Sequence, residues 1–194
     1  MIKRLKDFKL NEEYHQNKTI PGLISIEDFL SSIRIDDSKR EDIADWWGSN
    51  RRGISIHYFD FKSDEPISGV FIGEDSIAIN RKLRESSEFK LFVSIHESFH
   101  CEQERNGEME GYFSLAKSGS ISEFSDLYKK IEKEANDFAI NSMKKLGFFT
   151  FVNYWEMRLR SNEYAGAQVY HMMRRDIEKT GAKDFKSLLL SQIL

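Results

Sequence analysis

The sequence predicts an α+β fold, with a small and largely antiparallel sheet over about 54–80 that packs on a mainly helical remainder. Three observations predict it. Short apolar runs that alternate with polar residues, or are separated by glycine, lie between residues 54 and 80. Both prolines, Pro21 and Pro66, precede residue 81. Beyond that point, serine caps and apolar residues at helical spacing dominate the chain.

The composition allows one domain with a substantial core, because 40% of the 194 residues are hydrophobic and 15 are phenylalanine. The formal net charge of -3 gives no reason to expect a nucleic-acid or anionic-membrane partner. The single cysteine, Cys101, excludes an internal disulfide. The sequence contains neither a signal-like segment nor a membrane-spanning apolar run, so we expect a soluble, cytoplasmic protein.

Two short helices are predicted in the N-terminal quarter. The first 20 residues are polar and mixed in charge, and we expect an irregular lead-in there. Ser25 is placed to cap a helix that runs to about Ile33. Ser38 and Glu41 fit a capping box for a second helix, and Gly48 is expected to end it.

The predicted sheet comes next. Residues 54–59 alternate in polarity, which predicts a half-buried strand with His57 on its solvent face. Residues 70–72 and 76–80 flank Gly73-Glu74-Asp75 and are predicted to form a hairpin. If residues 75–80 lie at the edge of the sheet, an extended polypeptide could add to them as a further strand.

Helices are predicted over the rest of the chain. Ser86 or Ser87 caps a helix that runs to about Arg105. Ser120 and Glu123 form a second capping box, for a helix that ends at Gly147. Further helices are predicted near 151–160, 163–179 and 183–192.

The stretch HESFH, residues 96–100, carries the strongest chemical signal. Residues four apart on a helix share a face, so His96 and His100 can direct two imidazoles at one metal ion. Glu97 lies roughly 100° round the helix. From there it can act as general base on a water held by zinc without binding the metal itself.

A catalytic zinc usually has three protein ligands, so a second element must supply one more. In the predicted helix 122–146, Glu132 falls within the apolar arc and Glu134 falls just outside its other edge. Glu163, at the start of a later predicted helix, is a further candidate. Periodicity alone leaves the choice among these three carboxylates open.

The chain resembles the ImmA/IrrE-type zinc metallopeptidases over about 76–146. The resemblance rests on three segments in order: SIAIN, then FKLFVSIHESFH, then EKEANDFA. It implies a zincin-like fold of the gluzincin kind, with zinc held by His96, His100 and Glu132 and with Glu97 as catalytic base. It also places Asn136 where it could steady a histidine ligand. Ser98-Phe99 depart from the usual family residues at those positions.

The resemblance implies a zinc-dependent endopeptidase that cleaves a protein or peptide substrate, with a transcriptional regulator as one candidate. The whole of 1–194 is expected to form one metallopeptidase-like domain. In it, 1–50 forms an N-terminal helical segment, 51–147 carries the sheet and the metal-binding helices, and 148–194 forms C-terminal helices.

Tyr112, His171 and Arg158 could each stabilise an oxyanion, and no spacing selects one.

Two alternatives remain open at this stage. In the first, the chain is an interaction or regulatory module that keeps the zincin fold and binds a partner without cutting it. The apolar residues available for such a partner are Phe148, Phe149, Phe151, Trp155 and Tyr170. In the second, the helices at 25–47 form a DNA-binding pair, which the net negative charge disfavours.

Overall fold

The structure is a computed structural model, and it describes residues 20–62, 67–161 and 166–194. The described chain has an α+β architecture, as the sequence predicts. Its strands are β1 (Leu23–Ile24), β2 (Ser55–Phe59), β3 (Gly69–Phe71) and β4 (Ser76–Asn80). Its helices are α1 (Ile26–Ser32), α2 (Asp37–Asn50), α3 (Ser87–Arg105), α4 (Glu108–Ser118), α5 (Ile121–Lys145), α6 (Phe149–Ser161), α7 (Gly166–Thr180) and α8 (Phe185–Ile193). The irregular lead-in expected for the first 20 residues lies, apart from Ile20, outside this part of the chain.

The sheet is mixed: two of the three pairings among its described strands are antiparallel, as expected, including the predicted hairpin, and one is parallel. Its order is β1-β2-β4-β3, and β4 pairs parallel with β2 and antiparallel with β3. The five-residue register between β2 and β4 is the longest in the sheet. Alternation of apolar residues predicts which face of a strand is buried, but it carries no information about the direction of the neighbouring strand.

The position of β4 corrects an expectation from the sequence. β4 lies inside the sheet, between β2 and β3, so residues 75–80 are not an edge. Among the described strands, β3 forms the edge on this side. β4 is buried at four of its five residues, which fits an interior position.

His57 is buried rather than on the solvent face of the sheet, with 8% of its surface exposed. Its Nδ1 lies 3.0 Å from the carbonyl oxygen of Pro21. The prediction was wrong because it assumed that one face of the strand meets solvent. In the structure, β1 pairs with β2 and brings the preceding residues against His57.

Three of the predicted serine caps are present in the structure. Ser25 and Ser86 cap α1 and α3 through their side chains, and Ser120 forms the expected capping box of α5. The box at Ser38 is wrong, because Asp36 caps α2 by accepting from the Ser38 N–H at 3.1 Å. α2 also continues through Gly48 to Asn50.

Helix α4 is absent from the sequence prediction. Its N-cap is Gly107, which adopts a left-handed conformation and offers no side-chain hydrogen bond. Gly107 directly follows Asn106, the C-cap of α3, so only two residues separate the two helices. The later helices α6, α7 and α8 overlap the predicted ranges.

Gly69 allows α3 to pack closely on the edge strand. A Cβ at this position would lie 2.7 Å from Cγ1 of Val93 on α3 and 3.0 Å from Cδ1 of Ile79 on β4. Both neighbours are buried side chains in the core. The absence of a side chain at Gly69 therefore sets how near the helix carrying HESFH approaches β3.

We predict that Gly69→Ala lowers the free energy of unfolding by about 1–3 kcal/mol, because the added methyl group overpacks the interface between α3 and β3. The matched control is Gly48→Ala, where a Cβ meets nothing within 4 Å on an exposed helical site. That change should stabilise α2 by about 0.5–1 kcal/mol. Urea unfolding measures both, and equal effects of the two substitutions would contradict this account.

Candidate metal centre

Three side chains from two helices converge beside the edge strand. His96 and His100 lie one turn apart on α3, and their Nε2 atoms are 3.0 Å apart. Glu132 reaches them from α5, with carboxylate oxygens 3.5 Å from His96 Nε2 and 3.7 Å from His100 Nε2. Within the described residues, this is the one group of three or more metal-ligating side chains whose ligand atoms all lie within 4.8 Å of one another.

The packing of α3 against α5 positions Glu132. Phe99 of α3 stacks on Phe138 of α5, with ring centroids 4.9 Å apart. Arg51, at the end of α2, covers the Phe138 ring at 3.9 Å and forms a 2.9 Å salt bridge with Glu102 of α3. A buried cation thus contacts both helices, and Arg51, which follows the two helices considered for DNA binding, is directed inward.

Gln103 fixes the orientation of His100. The Gln103 amide nitrogen donates to the Ile131 carbonyl (3.2 Å) and to the Glu134 carboxylate (3.1 Å). Since both partners are acceptors, the amide oxygen must face His100, where it lies 2.7 Å from Nδ1. Nδ1 of His100 therefore carries the proton, and the lone pair of Nε2 points at Glu132 and His96.

Gln103 is the site residue that the sequence reasoning missed. It lies three residues after His100, so it stands on the same face of α3. It is 1% exposed, although glutamine is a residue that usually meets solvent. The spacing H-x-x-Q after the HExxH motif could have identified it.

The electrostatics of His96 and Glu132 favour a charged pair. Burial lowers the pKa of His96, but the Glu132 carboxylate outweighs it, with help from Glu97 and Asn136, so that pKa is raised overall. Burial raises the pKa of Glu132, but the neighbouring His96 and His100 have the larger, opposite effect. The pKa of Glu132 is therefore lowered overall. Burial and the neighbouring His96 lower the pKa of His100 to about 4. His100 is thus neutral near pH 7, the form in which an imidazole binds metal.

Glu97 lies in the same cavity but points to a different partner. Burial raises its pKa to about 7, and the nearby Glu132 carboxylate adds to that increase. His96 and the backbone N–H of Phe71, which donates to the Glu97 carboxylate, act in the opposite direction. A carboxyl group with a pKa near 7 is suited to exchanging protons at neutral pH.

The donor set suits a divalent metal ion. Ligand bonds of 2.0–2.1 Å in a tetrahedral site place ligand atoms about 3.3 Å apart. The separations of 3.0, 3.5 and 3.7 Å are close to that value. Two imidazoles and one carboxylate form a set that zinc accepts readily. The chain therefore offers a His/His/Glu group that could hold a metal ion.

The other two candidates for the third metal ligand were Glu134 and Glu163, and neither is seen in the cluster of the described residues. The Glu134 carboxylate bonds the Gln103 amide and lies 3.9 Å from Lys130 Nζ, so it supports the site from behind. Glu163 lies outside the described residues. Asn136 lies one turn after Glu132 and is 7% exposed. It raises the pKa of His96. No hydrogen bond from the described residues reaches His96 Nδ1.

The cavity around the cluster has a volume of about 200 Å³. It is lined by His96, Glu97, His100 and Glu132 together with Gly69, Val70, Phe71, Met109, Tyr112, Ile131 and Leu189. Tyr112 is thus the oxyanion candidate that the structure brings to the cluster, and burial raises the pKa of its phenol well above the usual value. His171 is exposed on α7 and does not line the cavity, and the side chain of Arg158 lies outside the described residues.

Cys101 follows His100 but takes no part in the cluster. It is fully buried, and burial raises the pKa of its thiol to about 12. The thiol lies 3.5 Å from the Ser76 carbonyl of β4. Cys101 is therefore a buried residue packed between α3 and β4, away from the three candidate ligands.

The aromatic residues considered as a partner surface are mostly packed inside the fold. Phe151 and Trp155 of α6 contact Phe92 of α3, with centroids 5.8 and 5.3 Å away. Tyr170 is 3% exposed, and Phe149 is the one of the set that stands clearly exposed, at 61%. None of the helices in the described part of the chain combines the length and apolar character needed to cross a bilayer.

Comparison of the chain with protein-family models, curated proteins and solved structures gave no match. The likeness to the ImmA/IrrE-type metallopeptidases therefore rests on the motifs in the sequence.

We predict that Gln103→Leu lowers the affinity of the protein for Zn²⁺ by about 10- to 100-fold, because His100 loses the acceptor that fixes its tautomer. Competition with a chromophoric chelator measures the affinity. Ser98→Ala is the matched control, since Ser98 is buried on the same helix and bonds only the Ile95 carbonyl in the described chain. Similar losses of affinity in both variants would show that helix damage, rather than His100 orientation, is responsible.

Proposed function

We propose that the protein is a zinc-dependent peptidase that hydrolyses peptide bonds in a protein substrate. The observation that carries the proposal is the convergence of His96, His100 and Glu132, with the Glu97 carboxylate lining the same cavity. The sequence supports it independently, since the HExxH spacing and EKEANDFA together resemble the ImmA/IrrE-type metallopeptidases. In this proposal the fold is zincin-like, and the three side chains hold Zn²⁺.

Beside the three proposed ligands, three residues of the cavity have roles that follow from their surroundings. When bound, Zn²⁺ would supply a Lewis acid and lower the pKa of water to about 7. Glu97 lines the cavity as the general base that takes the proton of the attacking water. The Phe71 N–H holds the Glu97 carboxylate in place. Tyr112 lines the cavity where a phenol could donate to the developing oxyanion.

The edge strand offers a place for the substrate backbone. On either side of β3, the Ile72 N–H donates to the Ser76 carbonyl and the Ser68 carbonyl accepts from Asn80, so even-numbered residues pair with β4. The backbone groups of Gly69 therefore point away from β4, beside the cavity, while the Phe71 N–H donates to Glu97. An extended polypeptide paired with Gly69 would pass beside Glu97 and the three proposed ligands. We therefore propose an extended protein segment as the substrate.

We expect wild-type protein to retain about one Zn²⁺ per chain after dialysis, and His96→Ala or Glu132→Ala to lose it, because two remaining ligands do not hold zinc firmly. Elemental analysis by mass spectrometry gives the stoichiometry. Glu134→Ala and Glu163→Ala are the carboxylate controls and should keep the metal. Zinc retained by Glu132→Ala but lost from either control would assign the third ligand elsewhere.

We predict that Glu97→Gln retains zinc but cleaves an unfolded protein such as casein about 10²- to 10⁴-fold more slowly, because the amide cannot accept the proton of water. Gel electrophoresis and mass spectrometry of the fragments follow the cleavage. Glu88→Gln makes the same chemical change on the first turn of α3, away from the cavity, and should cleave at the wild-type rate. A zinc-loaded wild type that leaves casein intact would argue against peptidase function.

A further inference from the structure

Two carboxylates of helix α5 reach helix α3 at different places. Glu132 and Glu134 are two positions apart in the sequence, and Glu132 lies against the imidazoles of His96 and His100. The Glu134 carboxylate instead contacts Gln103, which lies one turn beyond His100 on α3. The Glu134 side chain is 41% exposed and does not line the cavity. Glu134 therefore stands outside the cavity, in hydrogen-bonding contact with a residue that orients a candidate ligand.

Two hydrogen bonds in series connect the Glu134 carboxylate to His100. His100 donates from Nδ1 to the Gln103 amide oxygen at 2.7 Å, and the Gln103 amide nitrogen donates to Glu134 at 3.1 Å. Both bonds run in the same direction and end on a negative charge, so each bond polarises and strengthens the other. His100 and Gln103 are 4% and 1% exposed, so they are shielded from water that would compete for these bonds.

The Glu134 carboxylate also determines which way the Gln103 amide faces. It can only accept a hydrogen bond, as can the Ile131 carbonyl that lies 3.2 Å from the same amide nitrogen. Turning the amide by 180° would set its oxygen against both acceptors and present its N–H to His100 Nδ1. His100 would then carry its proton on Nε2, the atom that faces Glu132. Glu134 thus disfavours the tautomer of His100 that cannot bind a metal through Nε2.

A neutral amide between His100 and Glu134 keeps a third negative charge out of the cavity. Histidine ligands of metals usually donate their other ring N–H to a carboxylate, a carbonyl or water, which raises the basicity of the ligand. The cavity already contains the carboxylates of Glu97 and Glu132, and a further buried carboxylate would repel both. Gln103 transmits the influence of Glu134, while the charge itself stays in contact with solvent.

We propose that Glu134 is a positioning residue of the candidate metal centre and acts on His100 through the Gln103 amide. The proposal rests on the proposed function for the binding of Zn²⁺ by His96, His100 and Glu132, and it does not depend on peptide cleavage. Glu134 holds the Gln103 oxygen against Nδ1–H, which leaves the Nε2 lone pair of His100 available to the metal. Its charge also makes the imidazole a stronger ligand.

Glu108 provides a matched comparison for Glu134. Lys130 of α5 lies 3.1 Å from the Glu108 carboxylate of α4 and 3.9 Å from the Glu134 carboxylate. Both glutamates therefore lie close to the same lysine, and changing either to glutamine removes one negative charge from this part of the surface. Of the two, Glu134 is the one that bonds Gln103 in the described chain. A difference between the two variants thus reports the contact with Gln103.

A double-mutant cycle tests whether Glu134 acts through Gln103. Competition with a chromophoric chelator gives the Zn²⁺ affinity of four full-length proteins: wild type, Glu134→Gln, Gln103→Leu and the double variant. Glu134→Gln alone should lower the affinity about 3- to 10-fold, less than the loss of a direct partner, because the carboxylate is one bond further from the ligand. The three proposed ligands remain, so this variant still holds one Zn²⁺ per chain. In the Gln103→Leu background, Glu134→Gln should change the affinity less than about twofold.

Equal losses of affinity in both backgrounds would overturn the proposal, since Glu134 would then act without Gln103. Glu108→Gln should bind Zn²⁺ within about twofold of the wild type. If Glu108→Gln lost as much affinity as Glu134→Gln, the charge of this surface would explain both losses, and the proposal would be overturned. This comparison still decides the question if Gln103→Leu fails to fold, because it involves two solvent-accessible glutamates.

The tautomer of His100 gives a second readout that needs no metal. Long-range ¹H–¹⁵N spectra of the zinc-free protein distinguish a ring proton on Nδ1 from one on Nε2. The wild type should carry the His100 proton on Nδ1, and Glu134→Gln should increase the fraction that carries it on Nε2. A wild type with the His100 proton on Nε2 would overturn the proposal.

Cleavage of casein, measured in parallel, separates this proposal from the peptidase function. If the cycle gives the expected result and zinc-loaded wild type leaves casein intact, the role of Glu134 stands and the peptidase function fails. If wild type cleaves casein while Glu134→Gln and wild type bind Zn²⁺ equally, the peptidase function stands and the role of Glu134 is overturned. A wild type that binds no Zn²⁺ would overturn both.

Discussion

The contact between α3 and α5 is the constraint on which the site depends. Two imidazoles on one helix supply two ligands at most, and the third comes from a helix that begins at Ile121. The Phe99–Phe138 stack sets the spacing of the helices, and Arg51 fastens both by lying over Phe138 and bonding Glu102. With this spacing, the Glu132 carboxylate lies 3.5–3.7 Å from the two imidazoles. A change in the aromatic contact would therefore change the distances between Glu132 and the two imidazoles.

Burial of four ionisable groups in one small cavity creates a conflict that a metal ion would relieve. Burial and Glu132 both raise the pKa of Glu97, while the histidines lower the pKa of Glu132. Two buried carboxylates repel each other unless positive charge lies between them. The Gln103 amide adds no charge and instead orients His100 through its own fixed bonds to Ile131 and Glu134. These hydrogen bonds fix the orientation of His100.

The edge strand links the chemistry of the site to its access. Phe71 of β3 donates its N–H to Glu97, so the strand that could bind a polypeptide also orients the carboxylate proposed as base. Gly69 on the same strand lets α3 approach closely. Leu189 of α8 lines the same cavity.

The sequence by itself determined the elements whose signals are local. Helix periodicity and caps predicted α3 and α5, and the spacing of His96, Glu97 and His100 predicted a candidate site, because both depend on residues one turn apart. Periodicity left the third carboxylate open among Glu132, Glu134 and Glu163, and the resemblance favoured Glu132. Only the tertiary structure decided that Glu132 meets the imidazoles while Glu134 bonds Gln103, and that β4 is interior and parallel to β2. These facts depend on contacts between residues distant in the chain, and the angular position of a residue on its own helix or strand does not specify its partner.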